Sequence, residues 1–322
     1  MFKTFPKFTT GCYNLSMTWF FIALVGPFLW AIVNIADKYL VSKYSEKEKE
    51  RSSGGLVLFS SFIGIFIALL IWFFSSDVSN IPTLDKLLLM LTGVLTIVWI
   101  ILYLFTLETE DVSAVAPWFL AIPIFGYVLG YVFFGEILSG QQIIGSFVTL
   151  FGVFLISSDF SKEGKDFRWK PAIYMLIACF LVAVSGVLFK YVTIENNFWV
   201  SSFWEYVGLG ATGIFIFLFI PKYRKQFMHM NRTGGHKIFI VNVITEVMTI
   251  SGNLLTNFAL LLAPVTMVYL VGSFQPAIVL FLTILCTSFL PHIAKENLDK
   301  YAIFPKIAAV GIMIIGSIIL FM

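Results

Sequence analysis

The chain has 322 residues, of which 59% are hydrophobic and only 12% are charged. Soluble chains carry about 25% charged residues, so 21 basic and 18 acidic side chains cannot coat a protein of this size, which excludes a soluble enzyme and a disordered chain. The net charge of +3 is spread over several loops and not gathered on one face, which predicts no nucleic-acid partner.

A helix that crosses a bilayer needs about 20 mostly apolar residues. Ten such runs follow one another near 17–41, 54–75, 86–107, 112–134, 141–157, 171–194, 199–220, 238–262, 264–290 and 304–322. Lipid demands that every backbone polar group be paired internally, so a spanning chain is helical or a closed barrel. A barrel would show short alternating strands; these runs are continuous, and the expected fold is an all-α integral membrane protein of ten transmembrane helices. The linkers are short, and none could hold a soluble domain. Residues ahead of the first run, with Lys3 and Lys7, read as a short leader on an uncleaved helix, with initiation at Met17 as an alternative. Cys12, Cys179 and Cys286 give no disulfide framework, and the last two fall in apolar runs, where a thiol acts as a small hydrophobe.

The two halves resemble each other. Trp30–Leu40 reads WAIVNIADKYL and Val182–Val192 reads VAVSGVLFKYV, which sets Lys38–Tyr39 on Lys190–Tyr191. Nearly the same offset carries Pro123 in span 4 to Pro276 in span 9, and GIFI occurs at both 64–67 and 213–216. Each half holds five spans. An odd number starts the second half on the opposite side of the membrane, so homologous halves, 1–160 and 161–322, would be inverted repeats with a site near the midplane between them.

Span 1, with GPFLWAIVNIADKYL, resembles the opening of the EamA-like branch of the drug/metabolite transporter superfamily. Ser113–Glu136 (SAVAPWFLAIPIFGYVLGYVFFGE) and the glycine-containing ILSGQQIIGSFVTLFGVFLIS after it are similar to that family's spans 4 and 5, with a central proline and the Gly135–Glu136 pair. The resemblance implies a ten-helix, two-repeat carrier of small metabolites, with a cavity lined largely by spans 3, 4, 8 and 9 and helped by 1 and 6. The second half departs from the pattern: Phe289 stands where a strict repeat would place Glu, and the nearest acid is Glu296.

Orientation is open at this point. Lys3, Lys7 and Lys86 fall on one side of the ten spans; sixteen other lysines and arginines, from Lys43 to Lys306, fall on the other. Positive residues favour the cytoplasm, so the charge bias places both termini outside, whereas the resemblance implies both inside.

Five charges sit well inside spans: Asp37, Lys38, Lys190, Glu205 and Glu246. A charge near the bilayer centre costs about 2.5–3.5 kcal/mol and marks a coupling or gating candidate. Lys38 and Lys190 are repeat-equivalent and fit either a pair of gates or snorkelling to the headgroups. Lys190 and Glu205 lie at similar depth in adjacent spans and could pair. Glu246 lies roughly 12 Å into span 8. Asn242, Glu246, Asn253 and Asn257 follow steps that keep them on one helical face. Such a stripe is either interhelical hydrogen bonding or the wall of a cavity, where Glu246 could bind and release a proton.

Asn34, Trp99, Tyr103, Trp118, Asn253, Asn257, Tyr269 and Gln275 are the substrate-binding candidates, being aromatic or amide groups at helical spacing inside spans. Pro123 and Pro276 interrupt the helical hydrogen bonding and are candidate hinges. Gly145 and Gly152 in span 5, like Ala309 and Gly316 in span 10, are seven apart and read as close-packing scaffold. No nucleotide-binding, zinc-hydrolase or nucleophile motif occurs, and His229, His236 and His292 lack metal-ligand spacing. The sequence therefore predicts a carrier and not an enzyme, without cofactor or metal, in the plasma membrane as monomer or homodimer. It would move small metabolites or amino-acid-like or drug-like solutes outward by alternating access, with proton coupling. The alternatives are a flippase for a lipid-linked sugar and a membrane-embedded enzyme on lipid-linked substrates.

Overall fold

The structure is a computed structural model that describes residues 18–45, 53–75, 77–110, 112–115, 118–119, 121–157, 169–233, 235–289 and 300–321. The leader, Met17 and Glu296 lie outside the described residues. The elements are α1 (Thr18–Ser45), α2 (Ser53–Phe74), α3 (Thr83–Leu107), α4 (Val112–Val115), α5 (Ala121–Phe134), α6 (Gly140–Ser157) and α7 (Trp169–Thr193). They continue with α8 (Phe198–Phe219), α9 (Pro221–Thr233), α10 (Gly235–Leu262), α11 (Val265–Gly272), α12 (Gln275–Phe289) and α13 (Lys300–Phe321). No strand occurs among the described residues.

Seven of these segments are long and apolar enough to cross a membrane: α1, α2, α3, α7, α8, α10 and the α11–α12 stretch. The runs near 112–134, 141–157 and 304–322 fall on α4 and α5, on α6 and on α13, which are not among the seven. Large apolar side chains such as Phe66, Trp72, Phe147 and Phe215 stand exposed on the outside of the bundle, as a hydrocarbon solvent allows.

One helix was not legible as such. The linker after span 7 forms α9, which starts on Pro221, a residue whose missing N–H costs nothing in a first helical turn. Tyr223, Phe227 and Met230 of α9 pack into the main core, while Lys222 and Lys225 are exposed. The Gln226 side chain accepts from Gly54 N at 3.2 Å, and Glu108 accepts from Ser53 N at 3.1 Å. Those two side chains satisfy open donors at the start of α2. They also gather α9, the start of α2 and the end of α3 at one end of the bundle. At the other end Asn196 donates to Asp85 at 3.1 Å and Trp204 donates to the Val78 carbonyl at 2.8 Å.

Helix α1 packs on α10 and α12, while α7 packs on α3 and α5; α2 packs on α8, and α6 on α13; α11 meets α5, and α4 meets α12. Exchanging the halves (α1 for α7, α3 for α10, α4 for α11, α5 for α12) carries each of these pairings onto another or onto itself. Small residues set the closest approaches. A side chain on Gly208 would meet the Met90 backbone, and one on Gly93 would meet the backbone at Glu205 and Leu209, so α3 and α8 touch main chain to main chain and fix the height of Glu205. In the α6–α13 contact Gly152 abuts Ala309 and Met313, and Gly316 abuts Gly145 and Thr149.

Spans 4 and 9 are interrupted helices, not single bent ones. Helix α11 ends at Gly272 and α12 restarts at Gln275; α4 ends at Val115 and α5 starts at Ala121. Pro276 and Pro123 thus occupy the first turn of a new helix. That position demands no N–H, and the break precedes the proline in each case.

Candidate functional site

Between the two halves lies a chamber of about 170 Å³. Its wall takes residues from α1, α2, α3, α5, α7, α8, α10, α11 and α12. Among the predicted residues it brings together Asn34, Asp37, Trp99, Tyr103, Glu205, Glu246, Asn253, Asn257, Tyr269 and Gln275. Asn242 lies on the same wall, so the polar stripe of α10 faces this space along its whole length.

Three carboxylates share the chamber, each delivered by a different helix: Asp37 by α1, Glu205 by α8 and Glu246 by α10. Glu246 accepts a hydrogen bond from Ser60 Oγ of α2. Asp37 and Glu246 are close enough to feel each other's charge. Tyr103 donates to Asn34 Oδ1 at 3.1 Å and stands beside Asp37. Towards the other end Asn257 Nδ2 donates to Glu205 Oε2 at 3.0 Å. Glu246 and Asn257 are eleven residues apart on α10, so the two acidic regions are separated by roughly 16 Å along its axis. Tyr269 donates to the Val182 carbonyl at 3.3 Å, and its ring is seated against Gly126 and Gly186.

The intraspan lysines do not line this space. Lys38 Nζ donates to the carbonyl of Leu107, the last residue of α3, at 3.1 Å and to that of Glu110, just past it, at 2.9 Å. Lys190 Nζ donates to the Ala263 carbonyl at 3.0 Å, past the end of α10, and to Glu136 Oε1 at 2.8 Å. The second carboxylate oxygen of Glu136 accepts from Val265 N at 2.8 Å, which caps α11. The ring of Phe134 lies 5.0 Å from the ammonium. Each lysine therefore serves the open C-terminal carbonyls of one helix, at opposite ends of the bundle. The Lys190–Glu205 pair expected from depth alone is not formed: Glu205 turns into the chamber towards Asn257, and Lys190 turns outward to Glu136. Depth along two adjacent helices fixes height but not azimuth.

One further expectation shifts. Trp118 does not line the chamber; it packs on the main core, its carbonyl accepts from Cys179 Sγ at 3.1 Å, and Phe119 takes the wall position instead. Pro123 and Pro276 flank the helix breaks as described. Sequence reasoning left out Ser60, Thr245, Thr249 and Thr256, all on the wall, and the partner of Lys190. Thr245 and Thr249 extend the Asn242–Glu246 stripe at helical spacing and carried a readable signal. Ser60 is a lone hydroxyl in an apolar run and carried none. Glu136 follows span 4 and so escaped a search for charges inside spans.

Residues 17–158 match the EamA-like transporter family. That family belongs to the drug/metabolite transporter superfamily, and the match together with the long apolar helices makes the chain a multi-pass membrane protein. EamA-like proteins are transporters, not enzymes. No curated protein sequence matches it. A solved structure titled "Crystal structure of protein" is similar in fold, with a TM-score of 0.63 at 12% identity, over 94% of this chain and 96% of that one.

Proposed function

We propose that this protein is a secondary carrier of the plasma membrane that exports small metabolites or amine- and amino-acid-like solutes by alternating access between two inverted five-helix halves, residues 1–160 and 161–322. The observation that carries the reading is the chamber itself: one space, walled by helices of both halves, with three carboxylates exposed to it. An acid sealed in packing, like Glu136, can only hold structure together; an acid facing a chamber can bind solute or proton. The exchange symmetry of the helix contacts and the mirrored lysines support the repeat. Lys38 holds Glu110 O and Lys190 holds Ala263 O, contacts that correspond in the two halves.

Glu246 is the proposed proton-coupling group. Ser60, Asp37, Asn242 and Tyr206 are among the polar and titratable groups around it, and no lysine, arginine or histidine lines the chamber among the described residues. Counterflow of labelled solutes into proteoliposomes tests the reading. Saturable exchange supports a carrier; chemical conversion without movement, or scrambling of lipid without solute exchange, rejects it.

A further inference from the structure

We infer that the solute is an organic amine cation, and that the chamber discriminates against the α-carboxylate of the corresponding amino acid; this rests on the carrier reading above and narrows its substrate class.

The charge inventory of the wall is one-sided. Asp37, Glu205 and Glu246 face the space, and among the described residues no cationic side chain does. Lys38 and Lys190, the lysines nearest in depth, are both committed to helix-end carbonyls. A zwitterion would bring its own carboxylate into a buried space that already holds three acids and offers it no positive partner. Burying an unpaired charge is costly, and placing it against like charge adds to the cost. Selectivity of this kind needs no special contact to the favoured solute, only a penalty on the competitor.

Two orphaned groups point the same way. Asn242 is 2% exposed, lies one turn from Glu246 on the wall, and its Oδ1 has no hydrogen-bond donor. Asn34 is 5% exposed, lies one turn from Asp37 on the wall, and its Nδ2 has no acceptor. Buried polar atoms are almost always paired. An ammonium group supplies the donor that Asn242 lacks, and a neutral oxygen on the solute body supplies the acceptor that Asn34 lacks. Trp30, Trp99, Tyr103 and Phe119 add aromatic wall, which attracts a cation through the ring face. The 170 Å³ volume is near that of a cavity which holds one benzene, about 150 Å³, so the body is a single ring or a short chain.

The test uses the purified full-length protein and matched pairs that differ only in the carboxylate: tyramine with tyrosine, and dopamine with 3,4-dihydroxyphenylalanine. Equilibrium binding is measured with radiolabelled compounds on the wild type, Asp37→Asn, Glu205→Gln and Glu246→Gln. Each isosteric variant is checked for a single size-exclusion peak, and Phe215→Leu, on the outside of the bundle, serves as a folded control. The amine is expected to bind at least about tenfold tighter than its parent amino acid, about 1.4 kcal/mol. The gap is expected to narrow in the carboxylate variants and persist in Phe215→Leu. Equal binding, preference for the amino acid, a gap unchanged in all three variants, or no binding of either amine overturns the inference. Because binding is read without transport, its failure is separable from failure of the carrier reading: amino-acid counterflow with no amine preference sinks the inference alone, and amine preference without any flux sinks the carrier alone.

Discussion

Lys190 Nζ stands 2.8 Å from Glu136 Oε1, with both side chains almost fully buried. The pair joins α7 to the α5–α6 connection, and through Ala263 O and Val265 N it also ties down the junction of α10 and α11. Removing one partner leaves the other charge buried alone, which costs about 3–5 kcal/mol. Glu136→Ala is therefore expected to lower the melting temperature sharply in detergent. Glu136→Gln, which keeps the Val265 cap, is expected to lose less. Equal melting temperatures for wild type and Glu136→Ala would remove the pair from the account.

Gly135 sets up that pair. Its φ is 63°, and nothing stands where a side chain would go. Gly135→Ala therefore meets no steric clash, only the left-handed backbone penalty of about 1–2 kcal/mol. A small drop in melting temperature is expected, well short of that for Glu136→Ala.

Lys38 is the counterpart at the other end. Its ammonium makes two charge-assisted bonds to helix-end carbonyls, each worth about 1.5–3 kcal/mol. Lys38→Met is expected to destabilise the protein and raise access of a water-soluble thiol reagent to a cysteine at Leu107. Unchanged access would mean that Lys38 does not hold this end closed.

Much of the architecture was legible because lipid imposes a simple rule on composition: long apolar runs, separated by short polar linkers, must be helices. The helix breaks in spans 4 and 9 were not, because Pro123 and Pro276 mark an interruption without saying whether the chain bends or restarts. The α10 stripe was legible because four polar groups on one face cannot all be turned to lipid. Glu136 was not, because its burial arises from the packing of α7 and α11 around a residue that sequence places outside a span. Trp118 and Phe119 are adjacent aromatics in an irregular stretch, where no helical period tells which one points inward.

The same end-to-end division gives a test of orientation. Lys222, Lys225 and the start of α2 lie at one end of the bundle, Asp77 and Asp85 at the other. By the positive-inside rule, a cysteine replacing Asp77 is expected to react with an impermeant reagent added to intact cells, and one replacing Lys47 is not. The reverse pattern would place the termini inside.

Glu246 offers the proton-coupling test. Protons and a cationic solute compete for the same carboxylates, so solute binding should weaken as pH falls. Glu246→Gln is expected to flatten that dependence while leaving the protein folded, and Ser60→Ala to shift it modestly. A pH profile in Glu246→Gln that overlays the wild type would take Glu246 out of the coupling.

The central claim is that the acid-lined chamber is the route of transport. It is tested most directly by counterflow of labelled tyramine into proteoliposomes, with wild type compared to Asp37→Asn/Glu246→Gln. The account predicts saturable exchange by the wild type and at least about a tenfold loss in the double variant, about 1.4 kcal/mol. Exchange that is undiminished when both carboxylates are neutral would contradict it.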